Sequence, residues 1–207
     1  MKPALLFAFL VPAVAAAACG GSGGSAPAAA TSPRPAATAT PAGVVKGSKH
    51  RRDSDGDGIP DAITVKGARG DTLVLDGSGL HDDVDDHRKT RIRVTLQRLR
   101  GPIEGFDVPA GRELIGVVLR FENAGRVRYD DAQPQGQLTV RGGESGKQTS
   151  LIPIGGKNPC DDPSLKLTTG QSKTACLAFE IPRAGKPMAF EYVADDGYGD
   201  TGLWSLH

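Results

Sequence analysis

The chain has 207 residues and a formal net charge of +1. That balance excludes nucleic acid as a main partner, because phosphate binding needs a strongly basic surface. Aromatic residues make up only 5% and glycines number 28, gathered near the start and in turns, which is the profile of a tailed all-β protein with one folded domain.

Residues 1–19 read as a targeting segment. Met1-Lys2-Pro3 supplies one positive charge, and every residue from Ala4 to Ala18 is apolar. The run suits a secretory signal and is short for a membrane span of roughly 20 residues. It ends in Ala16-Ala17-Ala18-Cys19-Gly20, which resembles a bacterial lipobox, with Ala16 where an aliphatic residue is usual. The resemblance implies that Cys19 is alkylated with diacylglycerol and becomes the new N-terminus. The chain is then held to the bacterial membrane, outside the cytoplasm, through its N-terminal lipid. The alternative is an ordinary signal peptide with Ala-x-Ala cleavage and a secreted product.

Residues 20–52 form a tether. Gly20 to about Val45 is Gly, Ser, Ala, Thr and Pro with one charge, Arg34, and cannot bury enough apolar surface to offset the entropy of ordering. A coil of this composition spans about 30 Å. Lys46-Gly47-Ser48-Lys49-His50-Arg51-Arg52 closes it with positive charge, read as a solvated linker end.

Residues 53–61 carry the sharpest motif, Asp53-Ser54-Asp55-Gly56-Asp57-Gly58-Ile59-Pro60-Asp61. Carboxylates at alternate positions can converge on one calcium ion, and Gly58 falls where such a loop turns sharply. The stretch resembles the calcium loops of thrombospondin type 3 repeats, dockerins and integrin-type propeller blades. That resemblance implies side-chain oxygens from Asp53, Asp55, Asp57 and Asp61 and a backbone carbonyl from Ile59. Thr64 stands where an EF-hand would place a bidentate Glu, and a solvated acidic turn is the alternative. The loop occurs once, so no repeat array follows.

Residues 62–207 read as the folded domain. Ile63-Thr64-Val65 and Thr72 to Leu75 are short strands around a turn that contains Arg69-Gly70-Asp71, read as a plain turn. His81-Asp82-Asp83-Val84-Asp85-Asp86-His87 reads as a solvated loop, with metal binding the alternative. Arg91 to Leu96 alternates, with Ile92, Val94 and Leu96 on one face, and Leu99 is out of phase with them, which predicts a bulge near Gln97-Arg98. The central strand follows, with Ile115, Val117, Leu119 and Phe121 on one face, and Leu114, Gly116 and Val118 as a shorter stripe on the other. Asn123-Ala124-Gly125 tolerates positive φ and predicts a reversal. Gln137 to Val140 is a strand. Lys173 to Ile181 is another, with Leu177, Phe179 and Ile181 inward and Pro182 ending it. Met188, Phe190 and Tyr192 share a face, and Gly202 to Leu206 closes the chain. Seven or more short strands without helical period predict an antiparallel β-sandwich.

Residues from about Thr72 to Leu206 resemble the telokin-like domain of unknown function found in secreted bacterial lipoproteins. The resemblance extends to the mycobacterial immunoprotective extracellular protein. It rests on Gly70-Asp71-Thr72, Phe121-Glu122-Asn123-Ala124-Gly125, Leu167-Thr168-Thr169-Gly170-Gln171-Ser172 and Leu177 to Pro182. It implies an immunoglobulin-like sandwich outside the cell and brings no catalytic residues with it. The antibody-type Cys–Trp–Cys core is absent, since the only tryptophan is Trp204. With Cys19 lipidated, Cys160 and Cys176 are left as a pair, and export favours a disulfide between them, with a metal site the alternative although no His lies nearby.

No nucleophile elbow, His-Glu-x-x-His or phosphate loop is present. Gly197-Tyr198-Gly199-Asp200-Thr201-Gly202 spells a dinucleotide fingerprint but leaves no room for the helix that motif needs, so it reads as a turn. Glu113, Glu122 and Glu180 read as solvent-facing strand positions. The expectation is a non-enzymatic, lipid-anchored binding or adhesion module with calcium as its cofactor. Its ligand would be an unidentified protein or wall polymer. The rival readings are a wall-polymer hydrolase and a structural spacer.

Overall fold

Among the described residues the chain forms twelve strands and no helix. They are β1 (Val44–Lys46), β2 (Thr64–Ala68), β3 (Thr72–Asp76), β4 (Arg91–Arg100), β5 (Arg112–Asn123), β6 (Tyr129–Asp131), β7 (Gln135–Val140), β8 (Ser145–Thr149), β9 (Leu165–Leu167), β10 (Ser172–Pro182), β11 (Pro187–Val193) and β12 (Thr201–Ser205). The computed structural model describes residues 43–47, 52–54, 56, 61–77, 90–104, 106–149, 160 and 163–207, all within the unit Thr40–His207. Cys19, Asp55, Asp57, Ile59 and the stretch from His81 to His87 lie outside the described residues.

The strand order is β1-β3-β4-β5-β10-β8-β7-β11-β12-β2, with β6 and β9 as a separate pair. The order folds over at β8, which pairs with β10 on one side and β7 on the other. Two layers result, β1-β3-β4-β5-β10 against β7-β11-β12-β2, and the protein is an all-β sandwich of immunoglobulin-like form. β5 is central. It pairs with β10 from Ser172↔Glu122 to Pro182↔Arg112 and with β4 from Ile92↔Asn123 to Arg100↔Gly116. The register shift between Leu96 and Arg98 is the bulge that the phase of Leu99 predicts.

The inner faces interlock through aromatic rings. Ile115, Val117, Leu119 and Phe121 of β5 and Leu177, Phe179 and Ile181 of β10 are buried together with Phe190, Tyr192 and Trp204 of the other layer. Phe121 meets Tyr192 edge-on at 5.3 Å, Phe179 meets Phe190 at 5.9 Å, and Phe190 leans on Trp204 at 5.9 Å. Such pairs contribute about 0.5–1.5 kcal/mol each beyond the area they bury. Met188 stays half-exposed, because a register shift between Pro187 and Ala189 breaks the phase it would share with Phe190.

Several features depart from the sequence reading. Two of the strand pairings are parallel, β1 with β3 and β2 with β12. β1 also lies inside the stretch 20–52 that composition assigns to the tether. Its β-branched Val45 packs against the core, and Gly43 N–H donates to Asp71 Oδ1 at 3.0 Å, which ties the strand to the β2–β3 turn. Asp71 Oδ2 accepts from Ala68 N, so both carboxylate oxygens of the Arg-Gly-Asp tripeptide serve the turn. Asn123 does not adopt positive φ. It is a buried member of β5 whose Nδ2 donates to the carbonyls of Val127 and Leu167, both at 2.8 Å, while its Oδ1 accepts from Gly125 N. Glu122 and Glu180 face outward in ion pairs with Arg93 and Arg112, each at 2.6 Å. Glu113 shares the inner phase of Ile115 and is half-buried at the strand end.

The stripe Leu114, Val118 and Ala178 has its own cover on the outside of β5–β10. Ile103, Phe106 and Val108 pack on it together with Cys160 and Cys176. Cys160 and Cys176 form a disulfide with a Cα–Cα distance of 4.6 Å. It lies across Gly116, where a Cβ would come within 2.7 Å of Cys176 Sγ and 3.3 Å of Cys160 Sγ, so glycine is required there. Reduction, or Cys160→Ala with Cys176→Ala, is expected to cost about 3 kcal/mol in the chain-entropy account of a loop this long. Denaturant titration with and without reductant checks the cost. Non-reducing peptide mapping checks the pairing, and two free thiols in the exported protein would refute it.

Candidate functional site

Three groups of polar residues stand out, and each is set by the end of a strand. The first is the neck of the acidic loop. Asp61 N–H donates to Arg52 O at 2.7 Å, which closes the stretch between them. Inside that closure Asp61 Oδ1 accepts from Ser54 N and Ser54 Oγ, at 3.3 and 3.1 Å, and Asp53 Oδ1 accepts from Gly56 N at 2.8 Å. Asp53 and Asp61, the first and last acids of the motif, are therefore brought to one turn. Their partners in the motif, Asp55, Asp57 and Ile59, lie outside the described residues. Among the described residues no three metal-binding side chains converge. Asp71, a further acid available in sequence, is committed to its own turn.

The second group begins two residues on. Asp200 is buried, and its carboxylate accepts from Ile63 N at 3.1 Å and from Asp76 N at 2.9 Å. One side chain thus ties the start of β2, in one layer, to the end of β3, in the other. Asp200 N also donates to Asp76 O. A Cβ on Gly199 would approach Asp76 O to 2.8 Å, so this crossing also requires glycine. Arg91 is held in its charged form by its hydrogen bond to Asp76 and by the charges of Asp76 and Asp200. The Gly197–Gly202 stretch is a turn running into β12, as its lack of a following helix implies.

The third group is a buried hydroxyl–carboxyl cluster that sequence reasoning missed. Tyr129 Oη and Tyr192 Oη are 2.9 Å apart, Tyr192 Oη donates to Asp131 Oδ2 at 2.7 Å, and Asp195 N–H donates to Tyr129 Oη at 2.9 Å. Burial raises both phenols well above their ordinary range. Burial also raises Asp131, to about 7, and the neighbouring Asp196 carboxyl adds to the rise. Asp131 Oδ1 is sealed from solvent and has no hydrogen-bond donor among the described residues. Asp195 and Asp196 sit at φ of 57° and 52°, a left-handed turn that Asp tolerates better than most residues. The sequence signal is faint. Tyr192 reads as one member of a core stripe, and Tyr129-Asp130-Asp131 is too short to show a period. Asp131 is closed to solvent, and its carboxyl joins β6 to β11 through Tyr129 and Tyr192.

No protein-family model matches this chain, and no curated protein matches it. Among solved structures it is similar to MPT63, a secreted protein of Mycobacterium tuberculosis, at 15% identity with a TM-score of 0.47, over 70% of this chain and 99% of that one. It is also similar to an uncharacterized β-sandwich protein of Clostridium difficile, at 8% identity with a TM-score of 0.39, over 71% of this chain and 95% of that one.

The Asp131 cluster makes stability depend on pH. The folded chain holds a proton that the unfolded chain, with Asp131 near its ordinary 3.8, releases. The contribution is complete below about pH 4 and is lost as pH rises through about 7. Its size is on the order of a few kcal/mol. Asp131→Asn keeps the hydrogen bonds without the titration and should flatten this part of the profile. Denaturant unfolding of both proteins from pH 4 to 8 measures the difference, and parallel profiles would refute the assignment.

Proposed function

We propose that this chain is a binding or adhesion module displayed outside the cell, without catalysis of its own. In this reading Cys19 carries the lipid, the tether holds the sandwich clear of the membrane, and the loop from Asp53 to Asp61 binds calcium. The ligand is a protein or polymer of the cell surface. One observation carries the reading. Asp53 and Asp61 meet at a neck only two residues before Ile63, whose N–H is gripped by buried Asp200. A cation held at the neck would therefore stiffen the connection from β1 to β2, two strands that both belong to the sandwich.

The donor set fits calcium in its chemistry. Asp53, Asp55, Asp57 and Asp61 with the Ile59 carbonyl are all oxygen donors, as a hard cation prefers. Calcium would turn the mutual repulsion of these carboxylates into attraction and order the loop. Without a bidentate Glu the site belongs with weak extracellular sites, about 10⁻⁴–10⁻³ M. Calorimetry on the full chain should show one site of that strength, lost in Asp55→Ala with the sandwich still folded. Equal binding by both proteins would leave an acidic linker.

The anchor is tested separately. Cys19→Ser should move the protein from the membrane fraction to the medium, since a two-chain lipid holds stably where a single chain does so only marginally. Intact-mass measurement of the membrane form should show a diacylglyceryl adduct on Cys19. An unmodified cysteine, or cleavage elsewhere, would overturn the anchor.

A further inference from the structure

The outer face of β4 and β5 carries five exposed arginines, Arg91, Arg93, Arg98, Arg100 and Arg120. Arg91 pairs with Asp76, and Arg93 pairs with Glu122. Among the described residues Arg98, Arg100 and Arg120 have no carboxylate partner. Arg120 makes only a long bond, from Nη2 to Ser172 Oγ at 3.4 Å. Register puts the three side by side. Arg98 faces Val118 and Arg100 faces Gly116, while Arg120 faces Thr95 on one side and Thr174 on the other. Arg98 and Arg120 are therefore diagonal neighbours across the strands, about 7–8 Å apart. Arg98 and Arg100 are two residues apart on one strand, about 7 Å.

The bulge is what gathers them. Leu96 and Leu99 both point toward the core, and the register shift between Leu96 and Arg98 turns Arg98 and Arg100 outward, onto the face that Arg120 shares. Bulges of this kind re-aim side chains and recur beside functional sites. Like charges set side by side on a sheet are unfavourable, and an anion on this face would relieve that cost.

We propose that Arg98, Arg100 and Arg120 form a docking surface for a flexible polyol phosphate polymer with one phosphodiester per repeat. This deepens, and rests on, the cell-surface binding reading above. Guanidinium groups grip phosphate with paired hydrogen bonds. The three arginines are rooted about 7 Å apart along and across the strands, so their long side chains can each reach a separate phosphate of one extended chain. Thr174 and Ser172 border the patch and offer hydroxyls to a polyol, while the Thr95 hydroxyl is held by Thr72 at 2.7 Å. A membrane surface fits less well, because docking there also draws on buried apolar area, and the only large exposed apolar side chains among the described residues are Val44 and Tyr198. Single-stranded nucleic acid fits less well because the aromatic ring beside the patch, Phe106, is packed on the Leu114–Val118 stripe and does not stand free for a base to stack on.

The test uses the full chain and a fluorescent synthetic glycerol phosphate oligomer. Binding should weaken with added salt, with a log–log slope of about −2 for three phosphates. Arg98→Gln with Arg100→Gln and Arg120→Gln should lose at least tenfold in affinity and flatten the slope, at unchanged melting temperature. Arg126→Gln, an exposed arginine off this face, should bind as the parent does. Equal binding by the parent and the triple variant, or no binding at low salt, would overturn the proposal. So would tighter arginine-dependent binding to anionic vesicles or to an oligonucleotide of equal charge. Retention on isolated cell walls separates the two readings. A triple variant retained like the parent ends this proposal and leaves the binding reading standing, whereas a parent that is not retained ends both.

Discussion

The meeting of β5 and β10 with β11 and β12 is the contact on which the rest of the structure depends. Phe121 and Phe179 project from one layer and Tyr192, Phe190 and Trp204 from the other, and the rings meet across the interior. In a chain with so few aromatic residues, these side chains supply a large part of the buried apolar area. Their positions also fix register. A slip of one residue in β10 would turn Leu177, Phe179 and Ile181 outward and bring Cys176 and Ala178 inward. The outer cover over Leu114 and Val118, and with it the disulfide, follows from the same register, because Cys176 faces Val118 across the pair.

Where strands run out, buried polar side chains take over from the ladder. Asn123 collects two carbonyls and an N–H at the end of β5. Asp200 binds one N–H from each layer. Asp131, Tyr129 and Tyr192 tie the short β6 to β11. A buried polar group left unpaired costs about 1–3 kcal/mol, so each cluster draws its partners from more than one element and thereby specifies how those elements meet, with Asp131 Oδ1 the one acceptor in them left without a donor among the described residues. The Asp200 tie has a second consequence. It grips Ile63 just after the acidic loop, so the proposed calcium site is followed at once by a point held from both layers.

The outer surface is built differently. Glu122 and Glu180 are matched by arginines across the strands; the more exposed pair, Glu122 with Arg93, contributes little to stability. The departure from matching lies at the bulge in β4, where a device needed to keep Leu99 facing inward also sets two arginines beside a third.

The sequence by itself determined the class of fold, the central strand and the bulge, and it offered the pairing of Cys160 with Cys176 only on the premise of a lipidated Cys19, whereas the structure places the two side by side. Strict alternation in Arg91 to Leu96, Ile115 to Phe121 and Leu177 to Ile181 leaves no other way to bury the apolar residues. Only the tertiary structure decided the rest. Ser145–Thr149 has no apolar alternation and becomes β8 because it bridges two layers. Val44–Lys46 reads as tether and becomes β1 because the edge of β3 offers it partners. Asn123 and Asp200 read as turn residues, and Asp131 lies in a segment too short to show a period. They became buried joints because hydrogen-bond partners distant in sequence converge on them, and no local pattern records such a convergence.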